Sequence, residues 1–415
     1  MAWTYEIVRT RDGARQGRVY PVSTTPGPRR LDTKSSGNHT FVLSGNEQVW
    51  ARMRPARRTL VACWDDQPWY AGVIHSAKYN KGTQTVELAH EDIWSVLERR
   101  MAVPRDPTYP AAASVTYSSL SRRTHAKRVI QMATTDPMEE NAQSYELPIL
   151  LPSDESGNWT FTWRGYELHT AASGLQRIGD PGGPMQVDFP LSWASDGSLR
   201  WNLQVSHSSS IETFIHADVP DTPVIDWSLD HDMSEYASEL QVTGSGQDAD
   251  TLQRFHWIGH IEGDFVALAA DYSDGTIDTD DELQSVRDGI FPGYRQATVQ
   301  LDVEVHLGEG GYSPHDFTLG QQVVFRTQDD PILPRGDIRT MLIGMSPSGP
   351  SAMRLELASI EGFTGYETEE PTLDYRNLRA SKFSNITQRI HRAERRLVHP
   401  AGGSLAAATN TQEGI

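Results

Sequence analysis

The sequence predicts a mainly β fold of the α+β class, with two β-rich regions flanking an inserted mixed α/β region. The first hundred residues hold short segments rich in Val, Ile, Tyr, Trp and Thr, bounded by Asp-Gly, Pro-Gly, Ser-Gly or Lys-Gly pairs. That pattern is typical of strands joined by tight turns. Helical spacings of three and four appear in residues 119–178, and strand patterns return from about residue 206. A chain of 415 residues is expected to form two to four domains.

The first predicted domain, residues 1–108, is a β-barrel or sandwich closed by a helix at residues 91–100. Pro68 is expected in a hairpin loop with residues 65–67, because proline has no N–H to donate to a ladder. Three prolines between residues 104 and 110 mark the boundary. The predicted strands are residues 4–9, 17–21, 39–43, 58–64, 69–76 and 84–89.

The second predicted domain, residues 109–205, combines helices at 119–133 and 166–178 with alternating strand patterns. The third region, residues 206–362, returns to β signals, with one helix beginning near Asp280 and Asp281, where acidic side chains favour a helix N-terminus. The predicted strands of the two regions are residues 159–163, 186–189, 199–205, 224–229, 238–243, 254–261, 298–305, 322–326 and 353–359.

The fourth region, residues 363–415, contains an apolar stripe at helical spacing together with seven basic side chains between residues 376 and 396. Two interpretations stay open for this stripe. It forms an interface with other copies or with a partner, for example as a short coiled coil, or it folds back on its own chain. Its members are Leu378, Ile386, Ile390, Ala393 and Leu397.

The composition excludes several classes of protein. Mean hydropathy is −0.51 and no apolar run approaches the roughly 18 residues of a membrane span. No signal peptide is expected from the N-terminal residues, so we expect synthesis in a cytoplasm. A single cysteine, Cys63, rules out an intramolecular disulfide framework and a cysteine zinc site.

Charge is distributed unevenly along the chain. Residues 1–130 carry 20 basic and 11 acidic side chains, whereas residues 131–363 carry 10 and 38. The net charge of −18 argues against sequence-specific DNA binding, which requires a basic face. The asymmetry favours solubility, complementarity between neighbouring subunits, or an acidic surface that repels nucleic acid.

No motif indicates catalysis, a cofactor or a metal. His256 and His260 have metal-like spacing, but they fall in a predicted strand that lacks the glutamate of a helical zinc motif. The acidic run after Asp271 fails the calcium-loop register, with Ser273 and Gly275 where oxygen ligands are needed. Cys63 lies in an apolar strand and is expected to be inert packing. We therefore expect no enzyme.

Ordered motifs along residues 1–362 resemble the tail-hub family, the minor tail and baseplate-hub proteins of long-tailed actinobacterial phages. Each motif is a turn between apolar strands, so the resemblance lies in their order. The segments that carry it are residues 31–43, 64–74, 86–88, 92–100, 226–230, 242–246, 281–287, 319–325 and 339–344.

The resemblance implies a structural virion protein at the tail tip. A homotrimeric ring is implied, in which each chain gives two related β-barrel hub domains, so that a three-fold ring fits a hexameric tail tube. The implied partners are the distal tail tube, the tape measure protein and other tail-tip proteins, with DNA passing through the channel without specific binding and no membrane insertion. The acidic segment would then line that channel.

Two other functions stay open at this stage. A receptor- or glycan-binding tail module would present Trp159, Trp163, Trp193 and Trp201 on one exposed face. A β-rich enzyme would need a deep pocket with converging carboxylates or histidines of perturbed pKa.

Overall fold

The computed structural model describes residues 3–22, 25–43, 47–104, 112–135, 146–179, 185–206, 212–232, 237–257, 267–273, 298–327 and 336–359, with separate positions from 277 to 288. Strands dominate it, so the mainly β class is confirmed. In this described part, no helix has the length and apolarity needed to cross a membrane.

The N-terminal region forms a six-stranded antiparallel sheet, here called sheet 1, in the order β2-β1-β5-β6-β7-β4. The Val22 amide donates to the Thr40 carbonyl at 2.7 Å and so links the segment after β2 to β4, the opposite edge. The sheet therefore curls toward closure. Its elements, with β3 between them, are β1 (Trp3–Arg9), β2 (Arg15–Val19), β3 (Arg29–Arg30), β4 (Ser36–Val42), α1 (Glu47–Arg52), β5 (Arg58–Trp64), β6 (Gln67–Asn80), β7 (Thr85–Glu91) and α2 (Ile93–Leu97).

Strand β5 is buried on both faces, which explains its uninterrupted apolar sequence. Leu60, Ala62 and Trp64 point into the core that sheet 1 shares with the second half of the chain. Val61 and Cys63 point the other way, into the core of the middle region. The alternation of side chains along one strand thus joins two hydrophobic cores.

The middle unit, residues 112–206, packs on the outer face of sheet 1. Its helices and short strands share one hydrophobic cluster with Val8, Val61, Cys63 and Ala71 of that sheet. Its elements are β8 (Ser114–Leu120), α3 (Arg122–Thr134), β9 (Ile149–Leu150), β10 (Trp159–Arg164), α4 (Ala171–Gly179), β11 (Gln186–Asp188), β12 (Leu191–Trp193), β13 (Leu199–Asn202) and β14 (Gln204–Ser206).

The second half of the chain forms sheet 2, in the order β15-β21-β22-β23-β20-β16, and a separate three-stranded satellite sheet, in the order β18-β17-β19. Strand β3 also joins sheet 2, because Arg29 and Arg30 pair with Met345 and Gly344. The strands are β15 (Glu212–His216), β16 (Val224–Asp232), β17 (Glu239–Thr243), β18 (Gln253–Trp257), β19 (Ala269–Ser273), β20 (Thr298–His306), β21 (Gln322–Thr327), β22 (Gly336–Gly349) and β23 (Ala352–Ser359).

The two large sheets share a strand order. When the six strands of each are numbered along the chain, without β3 and the satellite, sheet 1 runs 2-1-4-5-6-3 and sheet 2 runs 1-4-5-6-3-2. The five-strand run 1-4-5-6-3 is common to both, and the two orders become identical if each sheet closes into a ring. One pairing differs: strands 1 and 4 are antiparallel in sheet 1 and parallel in sheet 2.

Several predicted boundaries were wrong for local reasons. The hairpin after β5 turns on Asp65 and Asp66 alone, both at positive φ, and Pro68 is inside β6 opposite Cys63, next to a bulge. The helix expected at 91–100 covers only Ile93–Leu97, because β7 continues to Glu91 and Asp92 caps the helix. The helix expected from residue 119 begins at Arg122, after the Ser121 N-cap.

Candidate assembly surfaces

The outer face of sheet 1 is covered and largely apolar where β1, β5 and β6 cross it. Glu6 is a buried carboxylate there, with Arg15 Nε 3.4 Å and Arg18 Nε 3.8 Å from its oxygens. Arg15 also lies over the Trp193 ring, 3.8 Å from its centroid. The middle unit therefore seals this face with packing and a neutralised charge cluster.

The outer face of sheet 2 along β16, β20 and β23 is partly exposed and carries more carboxylates than basic groups, with Arg354 directly opposite Glu304. Asp226 stands directly opposite Glu304, and Asp302 stands directly opposite Glu356. Like charges placed opposite one another on a sheet destabilise it. Arg30 offsets part of this repulsion, because it forms an ion pair with Glu356 at 2.9 Å.

Exposed apolar side chains lie at the edges of both sheets. Phe214 on the edge strand β15 is 48% exposed, and Ile225 on the opposite edge strand β16 is 54% exposed. In sheet 1, Val42 is exposed on edge strand β4. Away from that edge, the Trp50 ring of α1 and the Tyr79 ring of β6 lie 6.2 Å apart between centroids. Open strand edges bearing apolar side chains are surfaces on which a second chain can pack.

A buried chain of hydrogen bonds crosses the interior of sheet 1. The Tyr70 hydroxyl lies 2.9 Å from Nδ1 of His90, and Nε2 of His90 lies 2.8 Å from Nδ1 of His39. Burial lowers the pKa of His39 to about 4 and that of His90 to about 3, so both rings are neutral at pH 7. Glycine makes room for this chain: a Cβ on Gly72 would lie 2.3 Å from Nδ1 of His90.

Asp92 lines a small cleft at which sheet 1, sheet 2 and the middle unit meet. Burial raises the pKa of its carboxyl to about 8. Both oxygens accept backbone hydrogen bonds, one from Ser35 at 2.9 Å and one from Trp94 at 3.1 Å. In the same cleft Arg29 pairs with Asp188 at 2.8 Å. These interactions fix the junction of the three units.

The residues singled out by sequence are dispersed. Cys63 is buried, and burial raises the pKa of its thiol to about 12, which suits inert packing. His256 is on β18, whereas His260 lies outside the described residues. Among the described residues, no cluster of three or more metal-ligating side chains occurs. The stripe Leu378, Ile386, Ile390, Ala393 and Leu397 also lies outside the described part.

The four tryptophans proposed as a sugar platform do not form one. Trp163 and Trp201 are fully buried in the core of the middle unit, and Trp159 and Trp193 pack against the same cluster. The Trp193 indole N–H donates to the Asp66 carbonyl at 2.9 Å. These side chains hold the middle unit together and attach it to sheet 1.

Two solved structures share this arrangement over most of the chain. The tail protein from Neisseria meningitidis superimposes with a TM-score of 0.50 at 14% identity, covering 86% of this chain and 97% of its own. The tail protein of prophage MuSo2 from Shewanella oneidensis gives 0.52 at 10% identity, covering 86% and 98%. The chain has the fold of these two tail proteins, one of which is from a prophage. No protein-family model and no curated protein matches the sequence.

The phage-tail fold agrees with the family resemblance noted from the sequence, and at these identities it is evidence of fold.

Sequence reasoning missed the acidic face of sheet 2. Strands β20 and β23 were both predicted, but the sequence does not show that two strands so far apart in the chain pair, so the register that places Asp302 opposite Glu356 could not be derived. The alternation of acidic and apolar residues in β20, Leu301 to Val305, was the available signal.

Proposed function

We propose that this protein is a structural tail-hub component of a phage virion, at the distal tip of the tail. The support is one feature: a single chain carries two large sheets with a common strand order in a fold shared with phage tail proteins. Duplicated architecture within one chain is what a symmetry adaptor requires. Three copies in a ring would offer six similar sheets to a hexameric tube.

The proposed assembly is a homotrimer, and the phage is of the long-tailed actinobacterial type that the sequence resembles. Its neighbours would be the distal tail tube, the tape measure protein and other tail-tip proteins. The exposed edge residues Phe214 and Ile225 support contacts between copies, because closing a ring buries open strand edges. The role is structural, without catalysis, and the protein is synthesised in the host cytoplasm.

The open carboxylate face of sheet 2 is proposed to line the DNA-ejection channel. Four carboxylates share this face with the exposed Arg354, and Arg30 pairs with one of them, so the face keeps an excess of negative charge. The carboxylates are Asp226, Asp302, Glu304 and Glu356. A wall of carboxylates repels phosphate, so DNA would slide through without binding. This placement explains why like charges stand opposite one another despite the cost to the sheet.

Light scattering across a concentration series, with negative-stain imaging of the same sample, tests the proposal. The expected result is three times the mass of the 46.3 kDa chain and a ring with a central opening. Phe214→Lys should weaken the trimer, because it puts a charge on a proposed contact edge. Tyr166→Lys is the matched control, since Tyr166 is an exposed aromatic of the middle unit.

A particle that stays monomeric on addition of its tail-tube partner would contradict the hub proposal. The proposal would also be contradicted if Phe214→Lys and Tyr166→Lys weakened the trimer equally. The contact between copies would then not involve the edges of sheet 2.

A further inference from the structure

One face of the satellite sheet is exposed and carries two large aromatic side chains. Phe255 is 66% exposed and Trp257 is 59% exposed, both on the edge strand β18. The opposite face packs Leu240 and Val242 against Leu283 in a small core. The exposed aromatics belong to a unit whose described residues pack a hydrophobic core of their own.

Two carboxylates lie on the same face of the satellite sheet as the aromatic side chains. Cross-strand register places Glu239 beside Trp257, and it places Asp271 in the row of Phe255 and Gln241. The whole segment 237–288 has 12 acidic and two basic residues. A ligand for this face would combine an apolar stripe with basic side chains.

The chain itself contains such a segment. Residues 376–396 carry seven basic and one acidic side chain, interleaved with the stripe formed by Leu378, Ile386, Ile390, Ala393 and Leu397. The spacings of four, three and four from Ile386 onward place these apolar side chains on one face of a helix. Both the charge and the apolar pattern complement the satellite face.

The path of the chain brings the two together. Asp232, the last described residue before the satellite, pairs with Thr298, the first described strand residue after it. Two residues further along β20, Gln300 pairs with Ala358 at the end of β23. Since neighbouring strands lie about 4.8 Å apart, the C-terminal segment leaves sheet 2 about 10 Å from the satellite's connections. The 19 residues from Ser359 to Leu378 can span about 60 Å.

We propose that the basic C-terminal segment of this chain, residues 376–397, docks as a helix on the satellite face of its own chain and covers Phe255 and Trp257. Its apolar stripe packs on the two rings, and its arginines lie against Glu239 and the neighbouring carboxylates. The docking is intramolecular and independent of the tail-hub proposal.

Limited trypsin digestion of the full-length protein tests the docking, because the segment contains seven cleavage sites. The double variant Phe255→Ser/Trp257→Ser should be cleaved within 376–396 at least tenfold faster than the wild type. Tyr166→Ser removes an equally exposed aromatic elsewhere and should leave the rate unchanged. Raising the ionic strength should also accelerate cleavage, since part of the attraction is between surface charges.

Equal cleavage rates in the wild type and the double variant would overturn the proposal. The proposal would also be overturned if residues 376–396 of the double variant stayed protected from trypsin and this protection increased with protein concentration. The stripe would then be an interface between copies. Far-ultraviolet circular dichroism confirms that the double variant is folded.

Cysteine cross-linking separates the two arrangements directly. Gln241→Cys on the satellite face is combined in turn with Ile386→Cys, Ile390→Cys or Ala393→Cys, and the native Cys63 is too buried to compete. We expect at least one pair to form a disulfide within a single chain on mild oxidation. Cross-links that form only between chains, or none at all three positions, would contradict intramolecular docking.

Discussion

Sheet 1 and sheet 2 share a strand order but present opposite outer surfaces. On sheet 1, Val61 and Cys63 point outward into the core of the middle unit. On sheet 2, Asp302 and Glu304 point outward and are partly exposed, and no hydrophobic cluster of the described residues packs on that face along β16, β20 and β23. The same strand order thus has a buried outer face in the first half of the chain and a partly exposed, charged outer face in the second.

The inner faces of the two sheets do not differ in this way. Both contribute to one continuous apolar cluster, from Tyr5 and Trp64 of sheet 1 to Phe325 and Leu355 of sheet 2. The shared core therefore fixes the architecture, while the outer faces are free to diverge. Substitutions should have very different effects depending on which outer face they change.

The largest difference is expected from placing a carboxylate on each outer face. Val61→Asp buries an unpaired charge between sheet 1 and the middle unit and should destabilise the protein by about 3–5 kcal/mol. Ser228→Asp, on the exposed outer face of β16 and directly opposite Asp302, should destabilise the protein by less than about 1 kcal/mol, the size of a cross-strand repulsion. Chemical denaturation of both variants measures the contrast. Similar losses would show that the face of sheet 2 is also covered.

Acid should weaken sheet 1 before sheet 2. Burial lowers the pKa values of His39 and His90 to about 4 and about 3, whereas an unfolded histidine titrates near 6.5. Between these values the unfolded chain binds protons that the folded chain does not, so stability falls as the pH drops below about 6.5. The two histidines alone should cost on the order of 3 kcal/mol at pH 5. Asp92 acts in the opposite sense, because its raised pKa of about 8 lets the folded chain bind a proton that the unfolded chain does not, so it offsets part of this loss.

Hydrogen exchange at pH 7 and pH 5, corrected for intrinsic rates, locates this acid effect. Amides of β4 and β7 should lose protection more than those of β20 and β23. His90→Gln, which keeps a neutral hydrogen-bonding side chain, should reduce the pH dependence. Equal loss in both sheets would mean that the common core unfolds them together.

A smaller effect is expected at Cys63. Cys63→Ser places a hydroxyl in an apolar contact between β5 and the middle unit, at a cost of about 1–3 kcal/mol. Ser228→Ala on sheet 2 should be within about 0.5 kcal/mol of the wild type. Thermal unfolding of both variants provides the measurement, and an unchanged midpoint for Cys63→Ser would show that the site admits water.

The smallest stability changes are expected at the cross-strand charge pairs, with opposite signs in the two sheets. Asp302→Asn removes a repulsion with Glu356 and should stabilise the protein by about 0.2–1 kcal/mol. Glu87→Gln removes an attraction to Lys78, directly opposite it on β6, and should destabilise it by a similar amount. Both changes should fade in high salt. If both variants changed the stability in the same direction, local charge pairing would be ruled out as the cause.

The sequence predicted elements better than their connections. Strand β5 was located at residues 58–64 because its apolar run is bounded by turns, and the structure confirms those limits. The pairing of Arg30 with Gly344 could not be predicted, since two arginines carry no strand pattern and their partner lies more than 300 residues away. The buried Tyr70, His90 and His39 chain was missed for the same reason: polar residues on three strands become partners only once the register is known.

Strand β3 has a consequence for how the protein is made. Arg30 reaches Gly344 through the backbone and Glu356 through its side chain, so β3 completes its pairing only after more than 300 further residues have been synthesised. Contacts of such long sequence separation slow folding, because the intervening loop must close before they form. A nascent chain therefore exposes part of the common core until β22 has been synthesised, and its dependence on chaperones should be greatest in that interval.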